Sequence, residues 1–217
     1  MNEKQIINKI ASETESRFKY DSSGHDWWHI YRVWQLSKQI ALTEESNLFI
    51  VELAALLHDV ADWKFNNGNE TVGGQEAHRI MDRLGVAPIV MKQVVEIVNH
   101  ISYKGAEVEP EKLSKEGQIV QDADRLDAIG AIGIARTFAY GGFKGRAMYD
   151  PDIKPLMHQT SEAYKKNTAP TINHFYEKLL LLKDRMNTET GKRMAEERHR
   201  FMENYLDQFF KEWKIDI

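Results

Sequence analysis

Residues 48–57 read Leu-Phe-Ile-Val-Glu-Leu-Ala-Ala-Leu-Leu, a run with a single charge. A helix apolar nearly all round belongs at the centre of a fold. This one runs directly into His58-Asp59-Val60-Ala61-Asp62. Two carboxylates therefore stand at the C-terminal end of a buried helix, where the helix dipole already disfavours negative charge. An uncompensated buried carboxylate is too costly for a domain to carry, so it must be neutralised, paired or bound to a cation. Something positive is expected there.

The rest of the chain keeps the helical period. Ile6, Ile7, Ile10 and Phe18 mark a first helix, and Val33, Leu36 and Ile40 a second that opens near Asp26. The apolar run predicts a third over 48–61, followed by helices over 77–84 and 89–98, the latter introduced by Pro88. A longer helix is expected over 119–139, then a Gly-rich loop holding Gly141, Gly142, Gly145 and Tyr149-Asp150-Pro151. Helices over 172–186 and 196–213 close the chain. Alternating strand patterns are missing, so the expectation is one all-α domain over 1–217. Its core covers about 20–155, and helices over about 160–217 pack onto it.

Composition narrows the chemistry. The 217 residues include no cysteine, which excludes disulfides, thiolate metal sites and cysteine nucleophiles. The 29 basic and 33 acidic residues leave a net charge of −4, a poor balance for coating nucleic acid. No run approaches the ~18 apolar residues of a membrane span, and the start lacks a signal peptide's apolar block, so a cytoplasmic protein is expected.

Two further polar residues fall on apolar stripes. His29 shares a face with Val33, Leu36 and Ile40, and Asp124 with Val120, Ala128, Ala131 and Ala135. Asp127 lies about 60° round from Asp124 on that face, whereas Asp122 points elsewhere. Small residues Gly130, Ala131 and Gly133 suit close helix packing. Taken singly these are bland: a lone histidine on such a stripe is usually a core residue, and Arg125 or Arg136 is a ready partner for Asp124. Taken together they are not. Two imidazoles and two carboxylates from three apolar stripes (His29, His58, Asp59 and Asp124) are what an open divalent-metal site needs, and they suit Mn, Fe, Co, Ni or Zn.

The order His, His-Asp, distant Asp resembles the HD-domain superfamily of metal-dependent phosphohydrolases. The words around it are more specific: 24–33 read Gly-His-Asp-Trp-Trp-His-Ile-Tyr-Arg-Val, 55–65 read Ala-Leu-Leu-His-Asp-Val-Ala-Asp-Trp-Lys-Phe, and 121–131 read Gln-Asp-Ala-Asp-Arg-Leu-Asp-Ala-Ile-Gly-Ala. With Tyr149-Asp150-Pro151 they resemble the YpgQ-like bacterial nucleotide pyrophosphohydrolases. The likeness covers residues 20 to about 155.

The resemblance implies a helical bundle with one divalent ion, Mn²⁺ by habit and Mg, Co, Ni, Fe or Zn as substitutes. It implies hydrolysis of nucleoside triphosphates, ribo- or deoxyribo-, to monophosphate and pyrophosphate by an activated water. Two-metal relatives add two histidines; Gly74 stands where the first would be and His100 near the second, with His78 out of register. One metal is expected, and a second if His78 and His100 both reach the site. Asp62, one turn beyond Asp59, is the candidate acid/base. His25, Lys64, Lys104, Arg125 and Arg146 are candidate phosphate contacts, and Lys144 also lies on an apparent loop. The partner is a small nucleotide, with no nucleic acid or membrane, and a homodimer is open. The alternatives are a phosphatase or phosphodiesterase on another phosphorylated nucleotide, a non-catalytic nucleotide-sensing module, and a two-iron oxygenase.

Overall fold

Every regular element of the computed structural model is helical, and it describes residues 1–20, 26–61, 71–103, 111–157, 160, 162 and 167–214. Among these there is no strand, and no helix is long and apolar enough to cross a membrane. The chain falls into two compact units. Met1–Tyr103 with Pro110–Asp124 form one, and Arg125–Ile217 form the bulk of the other.

In the first unit α1 (Glu3–Phe18) opens on a capping box, Asn2 and Gln5 each accepting the other's backbone N–H. α2 (Trp27–Ala41) and α3 (Leu48–Leu57) follow. Ile50, Val51 and every residue from Leu53 to Leu57 are buried, so α3 is the centre that its composition demands. It packs against α1, α2 and α5. Truncating Leu56 or Leu57 to alanine is worth about 2–5 kcal/mol on that footing. α4 (Val72–Arg83) pairs with α5 (Pro88–His100), whose proline occupies the first turn where no N–H partner is needed. α6 (Lys115–Asp127) brings Ile119, Val120 and Ala123 into the core.

The expected helix over 119–139 is two helices. α6 stops at Asp127 and α7 (Gly130–Phe143) begins after a turn. Gly130 takes φ +74°, a left-handed conformation open to glycine and costly to residues with a Cβ. A Cβ on Gly133 would sit 2.2 Å from the Ala128 carbonyl oxygen, so both glycines serve the turn. The second unit continues with α8 (Asn173–Glu177), two 3₁₀ turns at Leu179–Leu181 and Lys183–Arg185, and α9 (Glu189–Trp213). The expected helix over 172–186 is thus broken, because Lys178 leaves helical geometry at φ −145°, ψ −61°. α9 starts earlier than position 196, since the Thr188 hydroxyl accepts the Gly191 N–H at 2.9 Å and caps it. Phe175 stacks on Tyr205, and Tyr149 meets Phe209, Phe210 and Trp213 edge-on.

Candidate metal centre

Helix ends deliver the polar side chains. The Asp26 carboxylate caps α2 by accepting the His29 N–H at 2.8 Å, which fixes His29 in the first turn. Its imidazole is 1% exposed, in line with the buried residues Ile30, Val33 and Ile40. α3 ends sooner than expected, at Leu57 rather than 61. His58 is its C-cap, and its ring Nδ1 lies 2.8 Å from the Ala55 carbonyl oxygen. The last carbonyls of a helix have no partner within it, and this ring supplies one. Asp59 follows in the turn, and α6 contributes Asp124.

His29 Nε2 is the hub. It lies 3.2 Å from His58 Nε2, 3.3 Å from Asp59 Oδ2 and 3.5 Å from Asp124 Oδ1. His58 Nε2 is 3.4 Å from Asp59 Oδ2. His29, His58 and Asp59 present ligand atoms all within 4.8 Å of one another, and Asp124 reaches this group through its contact with His29. The His58 tautomer follows from chemistry. A carbonyl oxygen only accepts, so Nδ1 carries the proton and Nε2 holds its lone pair toward His29. One nitrogen thus faces another imidazole lone pair and two carboxylates. A single proton on His29 Nε2 cannot serve three acceptors, whereas a divalent cation attracts every one of them. The donor set, imidazole nitrogen with carboxylate oxygen, fits such an ion. The side chains of Asp59 and Asp124 are 20% and 33% exposed, so the open side of the group is the carboxylate side.

The neighbouring acids behave differently from Asp124. Asp127 is 1% exposed and salt-bridged to Arg136 at 2.9 Å. Among the described residues Asp124 meets His29 and no arginine. Asp122, expected to point away, is fully buried, because the 119–123 stretch of α6 is enclosed all round. The buried Arg125 donates to the Arg185 carbonyl, and Arg146 to the Asn167 carbonyl at 2.6 Å. His25, Asp62, Lys64 and Lys104 lie outside the described residues.

His78 is exposed on α4, and His100 sits between Glu96 and Glu111, with Nε2 3.2 Å from Glu111. Neither joins the His29 group among the described residues. At Gly74 the Asn99 side chain lies so close that a Cβ would stand 2.3 Å from its Oδ1. A larger residue at 74 requires Asn99 to leave. Two features have no sequence signal: the Ala55 carbonyl that sets the His58 tautomer, because every residue has a carbonyl, and Asn99, because its packing on Gly74 depends on how α4 and α5 meet.

The comparisons with known proteins agree with this geometry. The HD domain model matches residues 27–129. The Bacillus subtilis protein YpgQ, described as uncharacterized, is 39% identical over 213 residues, covering 98% of this chain and 96% of its own. A crystal structure of an HD-superfamily hydrolase from Bacillus thuringiensis shares 45% identity with a TM-score of 0.75, over 99% of this chain and 100% of that one. The crystal structure of Bacillus subtilis YpgQ in complex with ADP shares 38% identity with a TM-score of 0.76, over 98% and 97%. At that identity over nearly its whole length, the chain belongs to the HD-domain superfamily.

Proposed function

We propose that this chain is a metal-dependent phosphohydrolase that converts nucleoside triphosphates, including deoxynucleotides, to monophosphate and pyrophosphate. The convergence of His58, Asp59 and Asp124 on His29 carries the reading. These four side chains hold one divalent ion, Mn²⁺ first among candidates. When bound, the ion supplies Lewis-acid polarisation of a phosphoryl oxygen and eases deprotonation of a water. The chain's own part is to hold the donors in register. Asp26 fixes His29, and the Ala55 carbonyl keeps the lone pair of His58 on Nε2. Asp62, three positions after Asp59, is the group proposed to take and return the water's proton. His25, Lys64, Lys104, Arg125 and Arg146 are the proposed phosphate contacts.

The relative solved with ADP supports a nucleotide ligand. We place the enzyme in the cytoplasm as a single HD domain over 1–217, acting on small nucleotides alone or as a homodimer. The deciding experiment incubates purified protein with Mn²⁺ and a panel of nucleoside triphosphates and identifies the products. Pyrophosphate with monophosphate is expected. Orthophosphate or tripolyphosphate would move the assignment to a phosphatase or triphosphohydrolase on the same metal cage, and no turnover with full metal occupancy would favour a sensing module.

A further inference from the structure

The first turn of α4 is bare of side chains where it meets two other elements. Gly73 and Gly74 are both buried there. A Cβ on Gly73 would stand 3.2 Å from the Ala61 carbonyl oxygen and 3.3 Å from Val98 Cγ1, so α5 and the turn after His58 close on one point. A Cβ on Gly74 would stand 2.3 Å from Asn99 Oδ1 and 2.8 Å from both Cγ and Nδ2. The Asn99 amide therefore lies against the bare Cα of Gly74. Ala61 belongs to the turn that carries Asp59 and leads to Asp62. Within the first unit, α5 thus delivers Asn99 to the same corner as that turn.

What Asn99 offers in this corner is unused. Its Oδ1 is buried, and among the described residues no donor reaches it. A buried acceptor left without a donor costs about as much as a lost hydrogen bond, which is why such groups are few in folded chains. Packing alone does not call for an amide, since an apolar side chain of the same shape avoids that cost. The oxygen needs an O–H or N–H partner. Of the parts of a nucleotide, the ionised phosphates accept hydrogen bonds and donate none. Donors sit on the sugar hydroxyls and on the base. An unserved acceptor beside the Asp59 turn therefore matches the nucleoside end of such a ligand and not its phosphate end.

We propose that Asn99 Oδ1 is a specificity contact that accepts a hydrogen bond from the nucleoside, with the sugar 3′-hydroxyl first and a second sugar hydroxyl or a base N–H as the other sources. This rests on the nucleotide reading above. Gly74 is part of the device, because only a residue without a Cβ admits the amide at this place.

The test titrates deoxyadenosine diphosphate, its 2′,3′-dideoxy analogue and inorganic pyrophosphate into the Mn²⁺-loaded full-length protein by calorimetry. The wild type is expected to bind the deoxynucleotide about three- to tenfold more tightly than the analogue that lacks the 3′-hydroxyl. Adenosine diphosphate against the deoxynucleotide reads the 2′-hydroxyl in the same way, and against purine riboside diphosphate it reads the base amino group. Asn99→Ala should erase the ratio that the wild type shows, with pyrophosphate affinity and bound metal unchanged. Asn99→Asp keeps an acceptor and should keep the ratio, because its added charge cancels between two ligands with the same phosphates. Gly74→Ala turns the amide aside without deleting it and should erase the ratio as Asn99→Ala does. No ratio in any pair, a ratio that survives Asn99→Ala, or a parallel fall in pyrophosphate affinity overturns the proposal. Nucleotide binding without turnover would end the hydrolytic reading and leave the ratio standing, whereas turnover with a ratio indifferent to Asn99 would end this proposal alone.

Discussion

His58 Nε2 faces His29 Nε2 at 3.2 Å, while the opposite nitrogen of His58 donates to the Ala55 carbonyl. The helix that ends at Leu57 thereby fixes which nitrogen of its C-cap histidine is basic. Nitrogen-15 spectra of the protein should show His58 as the Nδ1–H tautomer with and without Mg²⁺. An Nε2–H form would remove His58 from the proposed ligand set.

Asp59 stands closer to both histidines than Asp124 does, so its loss should be the more damaging. Asp59→Ala is expected to lose bound metal and to fall in rate by more than the ~100-fold typical of losing a ligand's hydrogen-bond partner. Metal analysis after dialysis, run beside the assay, checks both. Asp62→Ala should keep its metal and lose about 10²–10⁴-fold in kcat. Unaltered kcat would take Asp62 out of the mechanism.

The four side chains that approach one another can be read from the sequence because each interrupts an apolar stripe. Asp127 and Asp122 interrupt the same helix, yet Asp127 is tied to Arg136 and Asp122 is enclosed. Periodicity sets Asp122 apart from Asp124 but cannot separate Asp124 from Asp127. The pairing depends on Arg136, which lies on α7 beyond a break that the helical pattern runs straight across. Gly130 and Gly133 are legible as small residues suited to packing, but their backbone requirement is visible only in three dimensions. The third helix stops short of its apolar run for a similar reason, since no apolar count reveals that the His58 ring takes over the Ala55 carbonyl.

That break is testable. Gly130→Ala forces a Cβ into a left-handed conformation and to 3.0 Å from the Arg198 side chain. Gly85 has φ +72°, and a Cβ added there would meet nothing within 4 Å. Gly85→Ala should therefore cost about 1 kcal/mol and Gly130→Ala about 2 kcal/mol or more in urea denaturation. Equal costs would mean that the Arg198 contact yields freely.

Gly74 offers a second steric test. Alanine within a helix ordinarily gains about 0.5–1 kcal/mol over glycine, but here the Cβ meets the Asn99 amide. Gly74→Ala is expected to turn the Asn99 amide aside and so gain less than this, and Gly74→Ala with Asn99→Ala to recover the difference. Additive effects in this cycle would show that the two positions do not compete for space.

Glu76 joins α1 to α4. It accepts from Arg17 at 2.9 Å and from both ends of the Arg79 fork at 2.8 Å. The Arg79 hydrogen bond chiefly, helped by Arg17, lowers its carboxyl from 4.5 to about 2. A depressed carboxyl adds stability above its unfolded value, and that contribution fades as pH falls from about 4.5 toward about 2. Glu76→Gln should cost roughly 0.5–1 kcal/mol at pH 7, and the difference from wild type should shrink across that window in chemical denaturation. A gap that widens on acidification would contradict the pairing.

The Asp26 carboxylate that starts α2 grips the same residue that every other polar group of the cluster addresses. Fraying at a helix terminus is normally a small local loss, felt by nothing else. In this chain the frayed turn would carry away the shared nitrogen, so the thermal looseness of one cap bounds how firmly the whole cluster can hold a guest.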